Sequence, residues 1–110
     1  MEHIKEEGIY EKWDVWRFYT VEEAEKHEKQ CINWQSIVED FKKIKGKTWL
    51  DKQDIRYLLN SKPVYREYTI IGIEDNEPWA DYYWILEDSL TKKRKFKLVN
   101  YSEFYKDIKN

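Results

Sequence analysis

His27 and Cys31 come nearest, by residue type and spacing, to metal chemistry. In the run His27-Glu28-Lys29-Gln30-Cys31 they stand at i, i+4, the spacing that puts two zinc ligands on one helix face. A third ligand is not evident beside them, and both fall on a stripe that reads as core-facing, where cysteine behaves as a small hydrophobe. The expectation is no metal and no cofactor. Gly8, Gly46 and Gly72 are too far apart for a phosphate-binding loop. With one Cys and two His, a nucleophile with its base and orienting group is hard to assemble. Carboxylates are plentiful, but nothing selects a pair for acid–base work. The chain reads as a non-enzyme.

Two other stretches suggest binding. Residues 67–91 contain no Lys or Arg and seven carboxylates: Glu67, Glu74, Asp75, Glu77, Asp81, Glu87 and Asp88. Tyr68, Trp79, Tyr82, Tyr83 and Trp84 lie among them. Carboxylates spaced along a hairpin can imitate a phosphate backbone, with rings excluding water around the charge pairs. The contacts assigned to such a surface are Glu74, Asp75, Glu77, Trp79, Asp81 and Tyr82. The alternative is a nucleic-acid surface on Lys92, Lys93, Arg94, Lys95 and Lys97, beside Phe96 and Tyr101, with lysines on phosphates and rings on bases. The same lysines would also keep a sheet edge from aggregating.

The charge distribution sharpens this choice. The net charge is −2, but it comes in blocks: −6 over residues 1–40, +6 over 41–66, −7 over 67–91 and +5 over 92–110. Blocks of this kind produce patches on a folded surface, or they neutralise one another between neighbouring elements. A homodimer in which opposite blocks meet across a two-fold axis is a third reading. Six Trp, nine Tyr and four Phe exceed what a small core readily takes, and Tyr and Trp are favoured at contact surfaces.

The elements that must position these residues follow from periodicity. A chain of 110 residues is one domain, 1–110. Residues 8–19 read as extended, with Asp14 at a turn between two short strands. Thr20-Val21-Glu22-Glu23 is a capping box. It opens a helix from Val21 to about Lys45 with Ala24, His27, Cys31, Trp34, Ile37, Val38, Phe41 and Ile44 on one stripe. A shorter helix is expected over 47–61, capped by Thr48 or Asp51 and ended by Pro63. Strands follow over 64–73, 80–86 and 95–99, with a turn at Asp75-Asn76-Glu77-Pro78. Tyr68 and Ile70 share one face of the first of these, Thr69, Ile71 and Ile73 the other. A closing helix carries Tyr101, Phe104, Tyr105 and Ile108, capped by Asn100. The expected fold is α+β, an antiparallel sheet of three to five strands with the long helix packed on one face. No signal-like opening or apolar span is present in the sequence, and one cysteine fits a reducing compartment. A cytoplasmic protein without membrane contact is expected.

Phe18, Thr20, Glu22-Glu23-Ala24 and His27-Glu28 together resemble the F-x-T-x-E-E-A strand-to-helix opening of many small phage-encoded proteins. The match covers residues 16–31 and departs from the pattern at Asp14-Val15, where an Asp-Gly turn is usual. The resemblance implies a phage or mobile-element origin. It also implies, as for anti-CRISPR proteins, inhibition of a bacterial host or defence protein, including nucleic-acid-handling complexes, in the host cytoplasm.

Overall fold

The computed structural model describes residues 1–8, 12–53, 64–78, 81–99 and 107–109. Its elements are β1 (Glu2–Glu7), β2 (Lys12–Phe18), α1 (Val21–Lys26), α2 (Ile32–Ile44), β3 (Thr48–Gln53), β4 (Val64–Glu77), β5 (Asp81–Asp88), β6 (Arg94–Leu98) and β7 (Ile108–Lys109). The strands form one seven-stranded antiparallel sheet. Among the described residues no helix is long and apolar enough to cross a membrane.

The sheet is built on β4. Its fourteen residues make it the longest of the described strands. One edge of β4 pairs with β5 from Tyr68 to Asn76. The opposite edge is divided: β3 takes Val64 to Thr69 and β2 takes Ile73 to Glu77. A register shift between Ile70 and Gly72 marks the fork. There the end of β2 crosses so close that a Cβ on Gly72 would lie 2.5 Å from the Phe18 carbonyl oxygen.

The bulge also changes which residues are inside. Strict alternation sets Ile70 and Ile73 on opposite faces, but one extra residue restores both to the same side. Ile70, Ile73, Trp84, Leu86, Phe18 and Trp49 form the core with Trp34, Ile37, Val38, Phe41 and Ile44 of α2. Val15 and Ile85 are buried on the far face.

The expected long helix is corrected: two short helices stand in its place. Residues 27–31 are not helical, and the chain is extended at His27 and Cys31. In a continuous helix Ala24 and Trp34 would be about 15 Å apart, whereas the Trp34 indole donates to the Ala24 carbonyl at 3.1 Å. The fold class changes with it, to a sheet-dominated architecture carrying a thirteen-residue helix. The helix expected over 47–61 is also corrected where it can be seen. Gly46, with φ +81°, ends α2, and Thr48–Gln53 is a strand that pairs with β4 and buries Trp49 against Tyr68. Asp14 lies within β2, not at a turn, and Asp75 to Glu77 lie within β4, because ladder pairing outweighs their turn preference. The helices expected at 54–61 and 100–106 lie outside the described residues, while Ile108 belongs to β7.

Gly72→Ala is expected to lower the urea midpoint, since the obstruction is backbone; overpacking of this kind costs about 1–3 kcal/mol. An unchanged midpoint would show that β2 does not cross β4 so closely.

Candidate functional site

Asp75 is fully buried, and an isolated charge there would cost several kcal/mol. The chain brings its own cation. Lys29 Nζ lies 2.8 Å from Asp75 Oδ1 and 3.2 Å from Glu77, and His27 Nε2 lies 3.0 Å from Asp75 Oδ2. Residues at i and i+2 point the same way only in extended chain, whereas on a helix they diverge by about 200°. Both side chains therefore reach Asp75 because residues 27–31 are not helical. Exposure alternates along them as in a strand, with 27, 29 and 31 turned inward and 28 and 30 outward.

Burial alone would depress the Lys29 ammonium, but its bonds to Asp75 outweigh that and hold it above the ordinary 10.5. Its contribution is whole below pH 10.5 and disappears as the pH climbs through the raised value. The His27 ring is clamped by Trp16, Phe18 and Trp34 at centroid distances of 5.3, 4.8 and 5.2 Å. Lys29 also lies over the Tyr82 ring, 5.2 Å from its centroid. Cys31 precedes α2 without a geometric capping bond, yet the amides of Asn33 and Trp34 hold its thiol below 9.0, helped by the Tyr82 hydroxyl and Lys29. A cleft of about 640 Å³ opens beside this group, lined by His27, Lys29, Gln30 and Trp34 among others.

A second region lies at the outer strand. Thr91 to Phe96 are exposed without interruption. The turn before β6 is organised by Asp88, whose Oδ1 accepts from the amides of Leu90 and Thr91 while Oδ2 meets Arg66 at 2.8 Å. Those amides, chiefly, hold the Asp88 carboxyl below its ordinary 3.8. Lys92 sits at φ +61°, a left-handed conformation that disfavours every residue except Gly and, less so, Asn or Asp. Lys92 and Lys93 have no ion pair among the described residues. Arg94 donates to the Tyr19 hydroxyl and stacks on its ring. Lys95 pairs with Asp51, and Lys95 and Lys97 both lie over the Trp49 ring.

The six residues assigned to an acidic contact surface are not displayed together. Glu74 is buried and bound to Arg17 at 2.8 Å, and Asp75 is the buried centre just described. Glu77 is at the rim, tied to Lys29; Asp81 is exposed; Tyr82 packs against the core. Trp79 lies outside the described residues. His27 and Cys31 do not share a helix face, because the helix stops at Lys26. What sequence reasoning missed is the set His27, Lys29, Asp75 and Glu77, whose members are up to 50 positions apart; the inward alternation of 27, 29 and 31 has no apolar pattern to signal it. No known protein family, characterised protein or solved structure matches the chain.

The sign for Asp88 is that of a depressed carboxylate: its stabilisation is complete above pH 3.8 and lost as the pH falls through the lower folded value. Asp88→Asn should therefore flatten the acid limb of stability below about pH 4, read by tryptophan fluorescence. An acid limb identical to wild type would remove Asp88 from the turn's support.

Proposed function

We propose that this is a binding protein that takes the phosphates of a nucleic acid on the turn and outer strand formed by Lys92, Lys93, Arg94, Lys95 and Lys97. The observation that carries the reading is where the charges go. Among the described residues, Glu74, Asp75, Glu77 and Asp88 of the acidic stretch are matched by Arg17, Lys29 and Arg66. The turn lysines have no such match. Phosphate contacts need exposed, uncommitted cations, and Lys92 and Lys93 are two such, side by side on one turn.

Lys92 adds a second support. A residue with a side chain in the left-handed region costs about 1–2 kcal/mol relative to glycine, and strained positions of this type cluster at functional sites. Phe96 of β6, 38% exposed, adds a ring near the turn, with Arg17 4.8 Å from its centroid. Inhibition of a bacterial protein through an acidic surface is the competing reading. Among the described residues it has to run through Glu77, Asp81 and Tyr82.

Lys92→Gly separates charge from fold, since glycine suits the turn better than lysine. It should leave stability unchanged or raised by up to about 1 kcal/mol, while weakening binding to labelled single-stranded oligonucleotide. Three phosphate contacts give a log–log salt slope of roughly −2, and Lys92→Gly should bring it closer to zero by about 0.7. Binding insensitive to salt, or equal for the variant and wild type, would overturn the assignment.

A further inference from the structure

We infer that His27, Asp75 and Glu77 form a binding site for a divalent transition-metal ion, in which the Lys29 ammonium is the ion's built-in competitor. One ligand atom from each residue lies within 4.8 Å of the others. Ligands at about 2.0–2.2 Å from a common ion require a slightly tighter set. Glu77, with a side chain 40% exposed and held only by Lys29 among the described residues, has the freedom to close it. Asp75 and His27 are already in place, because the sheet fixes one and three aromatic rings clamp the other.

The charge arrangement points the same way. Lys29 sits between two carboxylates and next to an imidazole, so the position selects a cation. One ammonium leaves the two carboxylates half compensated, and a divalent ion would match them fully. Lys29 has somewhere to go, since its non-helical segment borders the 640 Å³ cleft. An imidazole with two carboxylates suits Zn²⁺, Co²⁺, Mn²⁺ or Fe²⁺ better than Ca²⁺ or Mg²⁺, which take oxygen ligands. The ion's remaining positions would face the cleft, where water can complete its shell. No residue of the basic turn takes part, so this site stands or falls apart from the nucleic-acid reading.

The experiment is a titration of the folded 110-residue chain with Co²⁺ alone, followed by its visible absorption and by calorimetry. The wild-type chain should take up one ion. Glu77→Gln, at the rim and unneeded for the core, should weaken the affinity about tenfold or more, as loss of a ligand does at least as strongly as loss of a supporting partner. Lys29→Met should bind about tenfold more tightly, through loss of the competitor. Absence of uptake by the wild-type chain overturns the proposal, and so does uptake that Glu77→Gln leaves unchanged. Should Lys29→Met not fold, the wild-type and Glu77→Gln titrations decide the question.

Discussion

A carboxylate with no access to water has to be given partners, and Asp75 organises much of the molecule for that reason. Its backbone is pinned on both edges, by Trp16 of β2 and Tyr82 of β5, so the strand cannot rotate it outward. Partners must come to it. They come from residues 27 and 29, the second an ammonium, and that need ends α1 after six residues in a stretch with no glycine or proline to break it. The break then lets α2 set off on its own line, with the Trp34 indole returning to the Ala24 carbonyl. Removing one partner of a buried pair costs about 3–5 kcal/mol, more than the few tenths per residue by which helix propensity favours continuing.

The same economy runs through the sheet. Arg17 crosses the far face to meet Glu74 and Glu2 and to lie over Phe96, 4.8 Å from the ring. Tyr19 and Arg94 meet beside it. These contacts join β2 to β6 across two intervening strands. The acidic stretch is thereby largely consumed by the chain's own arginines and lysines, and the aromatic excess with it: Trp84, Tyr68, Trp49 and Trp34 are all in the core. The basic turn stays outward.

Local signals were read well where packing agreed with them. The Thr20 hydroxyl accepts from the Glu23 amide at 3.2 Å, one half of the capping box, while the Glu23 carboxylate meets the N-terminal ammonium. Trp34, Ile37, Val38, Phe41 and Ile44 are the buried stripe of α2, and β5 and β6 lie within a residue or two of their expected bounds. The losses have a common cause. The helix break depends on Asp75, more than 40 positions away. The strand at 48–53 depends on Tyr68 and β4, since a short segment with one or two apolar anchors suits either helix or strand. The register shift at Gly72 depends on the passing of Phe18. The candidate site was illegible for the same reason, because its residues are joined by the sheet and not by spacing.

A double-mutant cycle between Lys29 and Asp75 measures the controlling interaction directly, using Lys29→Met, Asp75→Asn, the pair and wild type in urea unfolding. The structure predicts a coupling of about 2 kcal/mol or more, with the double variant more stable than either single one would suggest. A coupling below about 0.5 kcal/mol, the value of an exposed pair, would contradict a buried carboxylate that the chain is folded to neutralise.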